Sequence, residues 1–91
     1  MPEQPARALD LLYFAWLRER VGLAEERVEI PAEVTNVGEL IVWLRGRSAG
    51  HAAAFAPEGV VRCAVNQEFA RPDSPLADGD EVAFFPPVTG G

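Results

Sequence analysis

The chain contains no lysine, because all eight of its basic residues are arginine. This excludes the lysine that holds nucleotide phosphates in a P-loop and the lysine that forms a Schiff base with a carbonyl substrate. If the function of this chain needs ATP, we expect another protein to bind the nucleotide. The arginine bias itself is typical of a GC-rich coding sequence, since Ala, Gly, Pro and Val are also frequent.

Cysteine and histidine each occur only once, as Cys63 and His51. A single cysteine excludes a disulfide framework and is typical of a protein in a reducing cytosol. One residue of each type cannot build a convincing metal site, and no CxxC, HExxH or GxGxxG motif is present. We expect Cys63 to pack in the core, since it lies on the apolar side of a predicted strand, and His51 to be exposed, since it stands between a glycine and an alanine run.

Long apolar runs and excess positive charge are also missing. No apolar stretch approaches the length of a membrane-spanning helix, and the first five residues lack the basic and apolar regions of a signal peptide. The net charge of −6 argues against nucleic acid or an anionic membrane as a partner and favours a basic protein surface. The acidic residues are dispersed, and no pair stands out as a general acid and base. The sequence therefore predicts a cytoplasmic protein without catalytic machinery of its own.

The apolar pattern predicts one domain, since 91 residues, nearly half of them apolar, can bury a modest core. The predicted elements are a strand at 9–14, a short helix at 15–21 ended by Gly22, a strand at 26–30, a main helix, and strands at 60–66, 68–70 and 81–84. This order predicts an α+β fold of the β-grasp, ubiquitin-like type, with a mixed sheet of about five strands and one main helix across one face. We expect a flexible arm at 1–7, the β-grasp domain at 8–85 and an extended tail at 86–91.

Asn36 predicts the start of the main helix, because its side chain can cap the free N–H groups while Glu39 reaches back from three residues on. Four apolar residues then recur at helical spacing and should carry most of the core: Val37, Leu40, Ile41 and Leu44. We expect Trp43 to bury its ring at the edge of this stripe. Residues 48–50 are expected to close the helix, and residues 52–55 could form a further helical turn.

The C-terminal residues are built unlike the rest of the chain. Pro86 and Pro87 cannot donate N–H groups to a sheet, so strand pairing must end there and the chain leaves extended. Gly90 and Gly91 carry no Cβ, so this end could thread a narrow channel and adopt conformations closed to other residues. Chain ends are often frayed, but the stiff proline spacer favours a carboxylate that is delivered to a partner.

A terminal carboxylate is ionised at neutral pH and is a poor electrophile. It becomes reactive when it is activated, for example as an acyl-adenylate that sulfur or an amine can attack. A protruding diglycine carboxylate therefore implies two partners, one that activates it with ATP and one that receives what it carries. We expect the chain itself to bind no cofactor and no metal.

Residues 75–91, which end in Phe-Phe-Pro-Pro-Val-Thr-Gly-Gly, closely resemble the end of the small subunits of molybdopterin synthase. Residues 14–22, 37–40 and 64–67 are similar to the same family. The chain departs from that family in its N-terminal arm, in Asn36 as a cap where Thr is usual, and in its alanine-rich residues 49–56. None of these departures touches the tail.

The resemblance implies a sulfur carrier. Gly91, preceded by Gly90, would be adenylated by a ubiquitin-activating-type enzyme that uses ATP, and a sulfur donor would convert it to a thiocarboxylate. The tail would then enter the large synthase subunit and give its sulfur to cyclic pyranopterin monophosphate, towards the dithiolene of molybdopterin. Catalysis would belong to the large subunit, in a heterotetramer of two small and two large subunits.

Three phenylalanines predict a docking patch for this partner: Phe14, Phe69 and Phe85. Phe14 and Phe85 lie opposite the apolar faces of their predicted strands, and Phe69 lies in a short strand with polar neighbours. Phe69 could instead lie under the loops as part of the core. The resemblance adds the tail residues Pro86, Pro87, Val88 and Thr89 to the partner-binding set.

Three other functions stay open from the sequence. The sulfur carriers of thiamine thiazole synthesis also end in diglycine, but they are shorter and lack the Phe-Phe-Pro-Pro-Val-Thr run. A ubiquitin-like modifier would instead join its carboxylate to a lysine of a target protein. A plain interaction domain would leave the tail idle.

Overall fold

The computed structural model describes residues 7–56 and 60–87. The elements in chain order are β1 (Arg7–Tyr13), α1 (Trp16–Val21), β2 (Glu25–Ile30), α2 (Val37–Arg45), α3 (Ala49–Ala54), β3 (Arg62–Val65), β4 (Glu68–Phe69) and β5 (Glu81–Phe85). The five predicted strands and the predicted first helix are present within a residue or two of their expected bounds, and the main helix begins directly after Asn36, as predicted. Gly22 ends α1 in the left-handed conformation, with φ of 92°, as its position predicts.

The expected N-terminal arm falls mostly outside the described residues. Arg7, its last residue, already belongs to β1, where its guanidinium donates hydrogen bonds to the carbonyl oxygens of Pro31 and Ala32. The ordered sheet therefore begins one residue earlier than the predicted domain.

The strands form one mixed sheet in the order β2-β1-β5-β3-β4. The first and last strands, β1 and β5, pair in parallel at its centre, and the other three pairs are antiparallel. The helices α1, α2 and α3 pack against one face of this sheet. This arrangement confirms the predicted α+β, β-grasp architecture. None of the helices within residues 7–56 and 60–87 is both long and apolar enough to cross a membrane.

The core lies between the helices and one face of the sheet, which we call the covered face. The fully buried strand residues alternate along β1 and β5: Leu9, Leu11, Tyr13, Val82 and Phe84. Val37, Leu40 and Leu44 of α2 pack on them as expected. Ile41 and Trp43 are only partly buried, at the edge of this core. Burial of this apolar area supplies the main driving force for the fold.

The predicted capping of α2 is confirmed in its main part. Asn36 Oδ1 accepts a hydrogen bond of 2.8 Å from the backbone N–H of Glu39. Glu39 Oε1 accepts from Thr35, at 2.7 Å from the backbone N–H and 2.8 Å from the hydroxyl. Glu39 thus reaches back one residue further than a simple capping box requires.

The expected closure of the main helix at residues 48–50 is wrong. The helix ends at Arg45, and Ser48 instead caps α3, since its Oγ accepts a 3.0 Å hydrogen bond from the backbone N–H of His51. Residues 52–55, expected to form a helical turn, fall in α3 and at its C-cap Phe55. A serine oxygen that accepts a hydrogen bond from a free backbone N–H group favours the start of a helix. This cap favours α3 although Gly50 lies in its first turn.

Candidate functional site: the open face of the sheet

The sheet face opposite the helices carries the predicted docking residues, and we call it the open face. Phe14 follows Tyr13, and its backbone N–H donates to the carbonyl oxygen of Phe84 at 3.1 Å, so the pairing of β1 with β5 continues by one residue. Because side chains alternate, Phe14 and Phe85 both lie opposite the covered face. Phe14 is 48% exposed and Phe85 is half-buried.

Phe69 lies on the same open face, on β4, which is separated from β1 by the two strands β5 and β3. Its register partner on β3 is Ala64, which in turn pairs with Ala83 of β5. The Phe69 and Phe85 rings meet with centroids 6.1 Å apart and planes inclined by 60°. Phe69 is 83% exposed, so the alternative that it belongs to the core is wrong. The structure thus brings Phe69 and Phe85 into contact and leaves Phe14 on the same face.

A tight turn holds β4 in this position. Asn66 and Gln67 both adopt positive φ, at 51° and 71°, as in the turns that join twisted hairpin strands closely. The Asn66 side chain links this turn to β5: its Oδ1 accepts from the Glu81 N–H at 3.0 Å, and its Nδ2 donates to Asp80 Oδ1 at 2.9 Å. The placement of Phe69 therefore depends on a side-chain amide as well as on strand pairing.

The open face borders the point where the C-terminal tail leaves the sheet. β5 ends at Phe85, whose last register partner is Arg62, and Pro86 and Pro87 follow without strand pairing, as predicted. A cleft of about 320 Å³ lies here, lined by Arg62, Cys63, Phe69, Ala70 and Phe85. The predicted site residues Val88, Thr89, Gly90 and Gly91 lie outside the described residues.

Cys63 is buried, as predicted for a core residue. Burial raises the pKa of its thiol to about 11, so the nucleophilic thiolate is scarce at neutral pH. Within residues 7–56 and 60–87, no group of three or more His, Cys, Asp or Glu side chains is placed to hold a metal ion.

The prediction that His51 is exposed is wrong, since only 6% of its surface is accessible. Its Nε2 lies 2.8 Å from Glu26 Oε2, and its Nδ1 lies 2.7 Å from Ser48 Oγ. The Tyr13 hydroxyl donates a 2.7 Å hydrogen bond to the same carboxylate oxygen of Glu26. These four residues form a polar cluster that joins α3 to β1 and β2.

The position of His51 follows from a close contact that the sequence pattern does not reveal. A Cβ on Gly50 would collide with the carbonyl oxygen of Arg20 and lie 3.1 Å from that of Val21. Glycine therefore lets α3 lie directly on the end of α1, and this packing turns the next residue inward. The Ser48 cap three residues before His51 was the one local signal that could have indicated an ordered helix here.

The polar cluster shifts the pKa values of its members. Partial burial raises the pKa of Glu26, but the hydrogen bonds from His51 and Tyr13, with the charges of His51 and Arg47, outweigh it and hold the pKa below its ordinary value. Burial and the neighbouring Glu26 carboxylate raise the pKa of Tyr13 far above its ordinary range. The cluster is a structural link on the helical side of the sheet, because its members serve the packing of α3 and none lies on the open face.

A mixed sheet with helices on one face, together with exposed aromatics beside the C-terminal strand, defines a ubiquitin-like β-grasp protein. The ThiS family profile matches residues 11–91, and the chain belongs to the ThiS family. The sulfur carrier subunit of molybdopterin synthase from Escherichia coli is 43% identical over 83 residues, which cover 91% of this chain and 99% of that protein. Small archaeal modifier protein 3 from Haloferax volcanii is 34% identical over 91 residues, covering 91% of this chain and 98% of the relative.

Solved structures agree with these relatives. A putative molybdopterin converting factor subunit 1 from Pyrococcus furiosus matches with a TM-score of 0.74 and 34% identity, over 90% of this chain and 99% of that one. A chain in a complex of subunits 1 and 2 of the molybdopterin-converting factor from Helicobacter pylori matches with a TM-score of 0.58 and 27% identity, over 92% and 99%. The comparisons confirm the resemblance that the tail indicated, to carrier subunits rather than to the catalytic subunits of a synthase.

Proposed function

We propose that this chain is the sulfur-carrier subunit of a molybdopterin synthase, and that the cleft lined by Arg62 of β3, Phe69 of β4 and Phe85 of β5 marks the start of the tail that delivers the sulfur. One observation carries the proposal: β5 ends at Phe85, beside exposed Phe69, in a chain 43% identical to a sulfur carrier subunit. An exposed aromatic patch next to a proline-stiffened exit is what a carrier needs, because the receiving protein must bind the domain and position the tail together.

The proposed chemistry takes place at the carboxylate of Gly91. Attack of this carboxylate on ATP, held by a ubiquitin-activating-type partner, forms an acyl-adenylate and releases pyrophosphate. A donor that supplies sulfur at the oxidation level of sulfide then attacks the acyl carbon, displaces AMP and leaves a thiocarboxylate. Transfer of that sulfur to cyclic pyranopterin monophosphate in the large subunit, with water as the second reactant, regenerates the carboxylate. Since a dithiolene contains two sulfurs, two carriers act for each product.

The open face is the proposed contact with the large subunit. Phe14, Phe69 and Phe85 supply the apolar patch, and the tail residues Pro86, Pro87, Val88 and Thr89 lead Gly90 and Gly91 into the partner. The complex of subunits 1 and 2 from Helicobacter pylori supports a partner of this kind. We expect two small and two large subunits to assemble in the reducing cytoplasm, with ATP bound by the activating enzyme and no cofactor on this chain.

Intact mass spectrometry tests this function directly. After incubation with the activating enzyme, ATP and a sulfur donor, we expect one oxygen of the chain to be replaced by sulfur, and fragmentation should assign the change to Gly91. Cys63→Ala is the matched control, because it removes the one thiol that could trap sulfur and should leave the product unchanged. Sulfur found only on Cys63, or no adduct on the C-terminal peptide, would overturn the proposal.

The relative from Haloferax volcanii favours a second candidate, a protein modifier. The same incubation separates the two functions when target proteins are added, since a carrier stops at the thiocarboxylate whereas a modifier gives larger conjugates. This chain has no lysine, so lysine-linked chains of modifier on modifier are impossible and any isopeptide conjugate must contain another protein. The acceptor of the sulfur distinguishes the carrier proposed here from a thiamine-type carrier. We expect the thiocarboxylate to give its sulfur to the substrate of the large subunit and not to a thiazole precursor.

A further inference from the structure

A second concave surface lies on the helical side of the molecule, away from the open face. It is an open groove beside α2, with a volume of about 620 Å³. Its apolar residues are Val34, Val42, Trp43 and Pro72. Val42 is 62% exposed, although it lies in the middle of α2, so a large apolar side chain faces solvent where the core does not need it. We call this surface the α2 groove.

Backbone hydrogen bonds fix the walls of the α2 groove. The Gly38 N–H donates to the Pro72 carbonyl oxygen at 2.8 Å, and the Val37 N–H donates to the Ser74 carbonyl oxygen at 3.1 Å. The first turn of α2 is therefore tied directly to the segment between β4 and β5. A groove held in this way is preformed, so a ligand would not have to order it on binding.

The rim of the α2 groove is acidic. Glu33, Glu39 and Asp73 line it and are exposed, and within residues 7–56 and 60–87 none of the three forms an ion pair with an arginine or histidine. The hydrogen bonds from Thr35 hold the pKa of Glu39 below its ordinary value, so this carboxylate stays charged. Three carboxylates around an apolar floor, without an ion-pair partner among the described residues, create a negative potential at the mouth of the groove.

We propose that the α2 groove docks a basic, amphipathic segment of a partner protein. An apolar side chain of that segment would lie against Val42 and Trp43, while neighbouring lysines or arginines would reach the carboxylates of Glu33 and Asp73. A second copy of this chain does not fit, because it carries the same net charge of −6 and would be repelled. Nucleic acids and anionic membranes are disfavoured for the same reason.

This docking goes beyond the proposed sulfur transfer and does not depend on the tail. Because the α2 groove and the open-face patch lie on opposite sides of the sheet, both surfaces can be occupied at once. A protein bound at the groove could therefore hold the carrier while the open face exchanges one partner for another.

An NMR titration of the nitrogen-15-labelled full chain tests the proposal with three synthetic probes. The first is a helical peptide with leucine anchors flanked by arginine and lysine; the second replaces each basic residue with glutamate; the third replaces each leucine with serine. We expect only the first to shift the amides of Gly38, Val42 and Trp43 in a saturable way. Raising the salt concentration should weaken this binding by roughly tenfold.

Matched variants locate the contact. Val42→Asp should abolish binding of the first probe, and the pair Glu33→Gln with Asp73→Asn should weaken it by about tenfold. The control pair, Glu19→Gln with Glu29→Gln, removes the same amount of charge outside the groove and should leave the affinity for the first probe unchanged. Thermal unfolding of each variant confirms that the fold is intact. The proposal is overturned if all three probes bind equally or if none gives a saturable shift. It is also overturned if the Phe69 and Phe85 amides shift instead of those of the groove, or if the control pair loses as much affinity as the groove pair.

Discussion

The two faces of the sheet are made by the same strands but have opposite surroundings. On β5, Phe84 faces the helices and is fully buried, whereas Phe85, the next residue, lies on the open face against Phe69. On β1, Tyr13 is buried, and Phe14, directly after it, is 48% exposed. A shift of one residue along either strand therefore separates an aromatic ring in the core from one at the surface.

This contrast shows what each face contributes to the protein. The covered face is closed by its own helices, so its apolar residues stabilise the domain. The open face keeps aromatic side chains in water, where they add little to the stability of the fold, and clusters of this kind usually mark an interface. Substitutions should therefore separate into those that unfold the protein and those that leave the fold intact but weaken partner binding.

The largest effect is expected for Phe84→Ala on the covered face. Phe84 packs its ring against Phe55 and Tyr13, with centroids 4.9 Å and 6.0 Å away, and truncation would leave a cavity among them. We expect the free energy of unfolding, measured by urea denaturation, to fall by about 3–5 kcal/mol. Phe85→Ala is the matched control and should cost less than about 1 kcal/mol. Similar losses for both would contradict the division into two faces.

Extension of the chain by one residue after Gly91 should reduce sulfur transfer and leave the stability of the fold unchanged. The reacting carbon would move by about 3.5 Å, and a displacement of this size should slow sulfur transfer by about a hundredfold or more. We expect the melting temperature to stay unchanged, because the residues after Pro87 include no apolar side chain of core size except Val88. Gly90→Val should behave similarly, since it adds bulk and forbids positive φ. Near-normal transfer by the extended protein in a synthase assay would refute the carrier function.

Phe85→Arg should weaken binding to the large synthase subunit by about thirtyfold, or roughly 2 kcal/mol. The substitution places a charge in the centre of the aromatic patch, next to Arg62, so the new side chain would be desolvated beside a like charge. Calorimetric titration measures the affinity, and thermal unfolding provides the control. A substantially lower melting temperature would show that Phe85 serves the core, and would remove it from the patch.

Local patterns predicted most of the fold. The alternation of apolar residues placed Tyr13 and Phe84 on one face and Phe14 and Phe85 on the other, because strand periodicity is a property of the backbone alone. Asn36 predicted the start of α2 for the same reason, since a cap is made within a few residues. The ThiS family profile extends to the tail, where the motif itself carried the functional prediction.

The features that sequence patterns missed depend on contacts between distant segments. His51 is buried because Gly50 lets α3 rest on α1, and its acceptor Glu26 is 25 residues away in the chain. The α2 groove was missed because one wall comes from the segment before α2 and the other from Pro72 and Asp73. Neither arrangement has a local periodicity from which it could be predicted.

The polar cluster of Tyr13, Glu26, Ser48 and His51 predicts a dependence of stability on pH. The pKa of Glu26 is lower in the folded state than in the unfolded state, where it is about 4.3. The contribution of Glu26 to the free energy of unfolding is therefore fully present above the unfolded-state pKa and is lost as pH falls through the folded-state pKa. Glu26→Gln should cost roughly 1 kcal/mol at neutral pH, and the difference from the wild type should shrink in acid. Urea denaturation between neutral and acidic pH measures this. A difference that does not change with pH would exclude the charged form as the cause.

The smallest change in stability is expected for Phe69→Ser, and it gives the sharpest test of the open face. Because Phe69 is 83% exposed and lies on the short edge strand β4, its truncation should change the free energy of unfolding by no more than about 0.5 kcal/mol. Its ring nevertheless covers one side of Phe85, so the large subunit should bind the variant about threefold more weakly, as for a residue at the rim of an interface. Val42→Ser is the matched control, since Val42 is also exposed but lies on the helical side, and it should leave this affinity unchanged. If the two substitutions weaken large-subunit binding equally, the open face is not the docking surface; if Phe69→Ser unfolds the protein, β4 belongs to the core despite its exposure.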